Sequence, residues 1–192
     1  MTPSTEPSSD DYPIELEDDL LLSNERRVHI RPLRRCDGAP CEDDAIREFY
    51  ARLSPRTRYL RFFSPMPSLP DSVLRLLTSV DQHRSLALVA EDDTGHGDVV
   101  GLASFGAIDQ DRVEVALVVR DDWQHQGVGL ELAGRVMQAA EVRGFHRFLV
   151  HVSSDNVAIR RLLKHVGDVV SARASGGVSE IEFVRRRSAD GA

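Results

Sequence analysis

Residues 113–137, VEVALVVRDDWQHQGVGLELAGRVM, decide how this chain folds. The opening run alternates around branched apolar side chains, as a strand does. Val113, Val115, Leu117 and Val119 fall on one face, and Glu114, Ala116 and Val118 on the other. Arg120, Asp121, Asp122 and Trp123 break the pattern. From Gly127 the spacing becomes helical, with Leu132, Val136, Ala139 and Ala140 on one side and Gly144 placed to end the helix after about Arg143. FHRFLVHV, residues 145–152, reads as another strand. Strand, loop, helix and strand in that order form a β-α-β unit, whose crossover requires two parallel strands.

Outward from this unit the signals are antiparallel. RVHIRP (27–32) alternates as a strand, and EDDAIREFYARL (42–53) reads as a helix whose opening acids suit its positive end. LSPRTRYLRFF (53–63) starts a second helix at Ser54-Pro55, since proline is welcome in a first turn. Pro65, Pro67 and Pro70 enforce a break before a third helix, DSVLRLLTSV (71–80). SLALVAEDD (85–93) and VVGLASFGAI (99–108) flank a turn at residues 94–98 and predict a hairpin. Downstream, DNVAIRRLLKHVG (155–167) is helical, and VVSARASGGVSEIEFV (169–184) closes the chain as a hairpin around Gly176-Gly177. The expected class is α+β (mixed α/β): a central mixed, mostly antiparallel sheet with one parallel pair and helices on both faces.

A chain of 192 residues suits one domain with a real core, expected over 25–186. Residues 1–24 read as a solvated acidic tail, in which residues 20–22 (Leu-Leu-Leu) are the one run with apolar surface to dock. Residues 187–192 read as a frayed end. A net charge of −7 argues against a basic nucleic-acid-binding face. No apolar run approaches the roughly 18–20 residues of a membrane span. The start, MTPSTEPSSDDYPIELEDD, lacks the basic and apolar blocks of a secretory signal. Two cysteines, Cys36 and Cys41, make no disulfide scaffold. These features together predict a cytoplasmic protein, monomeric or homodimeric, with no membrane or nucleic-acid partner. Lys164 is the sole lysine among 24 basic residues, which codon bias explains.

The glycine pair Gly127 and Gly129 carries the chemistry. Without side chains the backbone can come close to a ligand. The first N–H groups of the new helix lack internal partners, and its dipole places roughly half a positive charge there. Such an end suits phosphate oxygens. With the overall charge negative, any attraction for a polyanion must be local. A dinucleotide-binding fingerprint needs a third glycine where Leu132 stands, and an NTPase loop needs a Gly-Lys pair that the chain lacks.

The full spacing Gln124-His125-Gln126-Gly127-Val128-Gly129 resembles the Gln/Arg-x-x-Gly-x-Gly/Ala loop of the GNAT superfamily of N-acetyltransferases. It lies where that family carries it, between a long central strand and the following helix. Asn156 and Ala158, before an amphipathic helix ending at Gly167, are similar to the family's second signature. The resemblance covers about residues 27–184 and is strongest over 112–167. LSPRTRYLRFF and the helix after it look like the bacterial protein-lysine acetyltransferase branch.

That resemblance implies acetyl-CoA as cosubstrate and no metal. Backbone groups of Gln124, His125, Gln126, Gly127, Val128, Gly129 and Leu130 would hold the pyrophosphate. The strand 113–119 would splay from the strand beginning at Phe145, and the pantetheine arm would bond to main chain near Leu117, Val118 and Val119, with Asn156 opposite. The acceptor is an amine, protein lysine first and a small amine second. An amine attacks only when neutral, so a group must take its proton. Glu114 is either the base, its flanking small and apolar side chains being of the kind that raise a carboxyl pKa, or a solvent-facing strand glutamate. Leu163 stands where many members carry a tyrosine that protonates the leaving thiolate, and Gly167-Asp168 replaces the usual Gly-Phe. A non-catalytic acyl-CoA sensor is the alternative those departures favour.

Other residues carry less. The histidines show no HExxH, and His146 and His151 stand an odd number apart on one strand, so metal catalysis is not expected. Ser104 lacks the first glycine of a nucleophile elbow. Trp123 either packs beneath the glycine loop or covers the cofactor. Arg56, Arg58 and Arg61 either border the acceptor entrance or are exposed helix charge.

Overall fold

In the computed structural model, residues 12–34, 42–93 and 97–186 are described. Cys36, Cys41 and His96 lie outside them. Eight strands form one sheet in the order β1-β2-β3-β4-β5-β6-β8-β7. They are β1 (Asp18–Leu21), β2 (Arg27–Pro32), β3 (Ser85–Asp92), β4 (Val99–Ala107), β5 (Arg112–Val119), β6 (Arg147–Ser153), β7 (Gly167–Ser175) and β8 (Val178–Arg185). Every neighbouring pair is antiparallel except β5 and β6. The helices are α1 (Asp43–Ala51), α2 (Pro55–Phe62), α3 (Asp71–Thr78), α4 (Val128–Val142) and α5 (Val157–Val166). This is the mixed, mostly antiparallel architecture expected from the sequence.

Both faces of the sheet are covered, which is why β3 is apolar on successive residues rather than on alternate ones. Leu86, Leu88 and Ala90 join one core with Leu132, Val136 and Met137 of α4. Ala87 and Val89 join the other with Ile46 and Phe49 of α1 and Leu74 and Leu77 of α3. Gly101 of β4 lets α4 lie close, since a Cβ there would stand 2.7 Å from Leu132 Cδ1.

Local signals explain where α2 starts and where α4 stops. Ser54 caps α2, its Oγ accepting from Thr57 N–H at 3.1 Å with Pro55 in the first turn. Gly144, at φ +90°, follows α4 in the left-handed conformation that favours glycine.

The N-terminal reading needs correction. Residues 12–24 are not a solvated tail: a 3-10 turn at Ile14–Leu16 leads into β1, which pairs with β2. Leu22 is buried in the α4-side core, and Tyr12 donates to Glu17 Oε1 at 2.6 Å. Apolar burial and a strand ladder outweigh the polar composition of this stretch.

Candidate active site

The parallel strands part almost at once. β5 and β6 pair only from Arg112↔Arg147 to Glu114↔Leu149, after which β6 continues alongside β8. Arg120 N–H donates to the Val100 carbonyl at 2.8 Å, and Ile108 N–H donates to the Arg112 carbonyl at 2.9 Å. Peptide groups alternate in direction along a strand, so the even-numbered residues of β5 turn toward β4. Val115, Leu117 and Val119 therefore turn theirs toward the gap. Val118 lines the gap, but its amide and carbonyl belong to the β4 side, so Val118 drops out of the main-chain set expected from the sequence.

A cavity of about 550 Å³ fills this gap. Gly127, Gly129 and Leu130 at the start of α4 line it, as do Leu163 of α5 and Asn156 just before that helix. The loop entering α4 is turned sharply. His125 has φ +61° and Gly127 φ +96°, both left-handed. Among the described residues, the N–H groups of His125, Gln126, Gly127, Val128 and Gly129 donate to no protein group. Gln124 N–H goes to the Asp121 carbonyl at 3.4 Å and Leu130 N–H to the Gly127 carbonyl at 2.9 Å. Of the seven amides expected to face a pyrophosphate, five are therefore available, clustered at a helix N-terminus.

The remaining loop groups hold its shape. Gln124 Nε2 donates to the Val119 carbonyl at 3.0 Å. Gln126 Nε2 donates to the Asp122 carbonyl at 2.8 Å, and its Oε1 accepts from Asn24 and Arg26 at 2.8 and 3.1 Å. Trp123 is fully buried beneath the loop, with the Arg26 guanidinium 3.3 Å from its ring centroid. That resolves the two readings of Trp123 in favour of packing.

Asp121 ties the loop to α2. Its carboxylate accepts from Ser54 N–H at 2.9 Å and from the Ser54 and Thr57 hydroxyls at 2.7 Å each. Burial pushes this carboxyl up, but those donors outweigh it and hold the pKa below the ordinary value. Ser54-Pro55 was marked as a helix start, but nothing local ties Asn24, Arg26, Ser54 or Thr57 to this loop, because each reaches it across a long stretch of sequence.

Glu114 and Asn156 both line the cavity. Asn156 Oδ1 accepts from Ile159 N–H at 3.2 Å and so caps α5, leaving its Nδ2 hydrogens for other partners. The apolar enclosure expected of Glu114 is not found: its side chain is 53% exposed and lies 3.1 Å from His151 Nδ1. Arg61 lines the same cavity. Burial lowers its guanidinium pKa, and the charge of Glu114 opposes that shift. Arg56 lines it too, whereas Arg58 donates to carbonyls of Ala51 and Pro67. Among the described residues no cluster of His, Cys, Asp and Glu is arranged to hold a metal ion. No described helix is long and apolar enough to cross a membrane.

The chain as a whole has counterparts among known proteins. The model of the acetyltransferase (GNAT) family matches residues 44–167. The chain belongs to this family. Acetyltransferase PA5475 of Pseudomonas aeruginosa is 31% identical over 150 residues, 77% of this chain and 78% of that protein. Acetyltransferase Pat of Mycolicibacterium smegmatis is 39% identical over 56 residues, which span 29% of this chain and 17% of Pat. The GNAT domain of S. lividans PAT superposes with a TM-score of 0.78 at 25% identity, over 90% of this chain and 99% of that one. The protein yncA of Salmonella typhimurium, solved with its cofactor acetyl-CoA, shares the fold with a TM-score of 0.61 at 22% identity, over 84% of this chain and 96% of that one.

In this GNAT acetyltransferase Leu163 is a buried side chain that lines the cavity without a hydroxyl. No tyrosine or cysteine lines the cavity among the described residues.

Proposed function

We propose that this acetyltransferase transfers the acetyl group of acetyl-CoA to an amine by direct attack in a ternary complex, with the side-chain amine of a protein lysine as the preferred acceptor. The observation that carries this reading is the set of five unengaged amides, at His125, Gln126, Gly127, Val128 and Gly129, opening onto the gap between β5 and β6. A diphosphate supplies the acceptors those donors lack. The peptide groups of Leu117 and Val119 match the amides of a pantetheine arm. Val119 contributes only its N–H, since Gln124 occupies its carbonyl. A main-chain N–H at that point also suits the oxyanion formed as the amine attacks the thioester carbonyl. The C–S bond then breaks, and coenzyme A leaves as a thiolate.

Glu114 takes the proton the attacking amine must lose. An amine acceptor is favoured by charge, since Glu114 and its neighbour Glu180 attract an ammonium group. Likeness to the GNAT domain of S. lividans PAT supports the same acceptor. Leu163 favours one competitor, an acyl-CoA sensor that binds without transfer.

Release of free thiol from acetyl-CoA, followed with a panel of small amines and lysine-bearing proteins, tests the reading. Acceptor-dependent release is expected, with Glu114→Gln slowing turnover at least about tenfold and leaving acetyl-CoA affinity unchanged. Acetyl-CoA binding with no transfer to any acceptor would overturn it in favour of the sensor.

A further inference from the structure

His151 occupies a place for which acetyl transfer, as described so far, has no use. It stands on β6, two residues beyond the last residue that pairs with β5, where the strands separate. Leu149 pairs with Glu114, and residues two apart on a strand share a face, so His151 and Glu114 lie on the same side. On the other flank His151 pairs directly with Glu180 of β8. The imidazole consequently lies between two carboxylates. Nδ1 is 3.1 Å from Glu114 Oε1 and Nε2 is 3.5 Å from Glu180 Oε2. The ring lines the cavity with 35% of its side chain exposed, so it is no core-packing residue.

We propose that His151 is a proton relay acting through Glu114, a positioning residue that clears the proton which Glu114 takes from the acceptor ammonium. The inference rests on the acetyl-transfer reading above. In the relay the ammonium N–H bond breaks and a Glu114 O–H bond forms. That O–H bond then breaks as His151 Nδ1–H forms, and the proton on Nε2 passes to Glu180 or to water. One proton leaves the groove, no electrons are exchanged, and Glu114 returns as a carboxylate.

The chemistry favours an imidazole in this position. An ordinary lysine ammonium titrates about six units above a carboxylate but only about four above an imidazole. An ordinary carboxylate therefore holds a proton about a hundredfold less well than an ordinary imidazole does. The surrounding charges are compatible with a relay. Arg112 of β5 is bonded to Asp109 and Arg147 of β6 to Glu182, so neither takes Glu114 or Glu180 from the ring. Arg173 of β7 lies opposite Glu180 in register, and Arg61 of α2 faces the cavity beside Glu114. Arg161 and His165 of α5 line the same cavity.

The test is the pH–rate profile of His151→Gln, His151→Ala and Glu180→Gln against the wild type, with lysine-bearing acceptor in saturating acetyl-CoA. For His151→Gln the expected result is turnover about tenfold or more below wild type near pH 7, with the deficit shrinking to about twofold near pH 10 as the acceptor becomes neutral by itself. Glu180→Gln should show a smaller loss of the same shape. Added imidazole should restore His151→Ala but not Glu114→Gln, and acetyl-CoA affinity should not change in any of them. Full turnover of His151→Gln at every pH, or an equal loss at every pH without imidazole rescue, overturns the relay and leaves acetyl transfer standing. A wild type that binds acetyl-CoA but transfers to no acceptor overturns both.

Discussion

Gly127 and Gly129 do different work. Gly127 sits at φ +96°, where any other residue is strained by about 1–2 kcal/mol. Gly127→Ala is expected to deform the loop, lowering both melting temperature and acetyl-CoA affinity, the latter about tenfold. At Gly129 a Cβ would meet Leu117, Val119 and Leu162 at 3.5–3.7 Å, ordinary contacts for the protein alone. Gly129→Ala should leave the melting temperature nearly unchanged while weakening acetyl-CoA binding at least about tenfold, because the methyl enters the ligand's space. Calorimetric titration beside a thermal melt separates the two, and undiminished binding by Gly129→Ala would contradict this role. These glycines were legible because a short spacing marks them. His151 was not, since nothing in the local sequence tells which residue of β6 comes opposite Glu114. Glu114 itself was found by strand alternation, but its exposure depends on where β6 leaves, which alternation does not report.

At the scale of elements, the N-terminal segment braces the ligand loop from behind. Arg26 stacks on Trp123 and bonds to the Asp122 carbonyl and Gln126, contacts that tie the start of β2 to a loop about a hundred residues away. Removing them with Arg26→Ala should cost about 1–2 kcal/mol and reduce acetyl-CoA affinity severalfold. A denaturant melt and a binding titration check both. Tyr12 reports on the same segment. Burial, followed by the hydrogen bond to Glu17, raises its pKa to about 12. A raised pKa stabilises below the ordinary tyrosine value and is lost as pH climbs through the folded one. The segment should consequently loosen between about pH 10 and 12, measurable as phenolate absorbance appearing late compared with an unfolded control. Asp121 acts in the opposite direction. Its lowered pKa contributes stability above the ordinary carboxylate range that is lost as pH falls through the folded value. Asp121→Asn should flatten that acid dependence in a melt series. β1 escaped sequence reading because four residues, Asp-Asp-Leu-Leu, carry no convincing alternation and gain their partners only when β2 is in place.

For the whole molecule, two cores clamp the sheet from opposite faces while its middle is held open. The β-α-β pattern from 112 to 152 predicted the parallel pair, and the closing hairpin was plain from Gly176-Gly177. The insertion of β8 between β6 and β7 was not legible, because a hairpin's turn does not say which of its strands faces the sheet. That insertion keeps β6 alongside β8 and away from the outer half of β5. A ligand bridging α4, β5 and α5 should lock these parts together. At a hundred times its dissociation constant, acetyl-CoA is expected to add about 2.7 kcal/mol of stability, raising the melting temperature by roughly 5–10 °C.

The most direct measurement is a backbone amide titration by ¹⁵N-correlated NMR with acetyl-CoA. The amides of His125, Gln126, Gly127, Val128 and Gly129 should move together and saturate with one dissociation constant, along with Leu117 and Val119. Resonances at these positions that stay in place through millimolar acetyl-CoA would contradict the assignment of this loop as the diphosphate cradle.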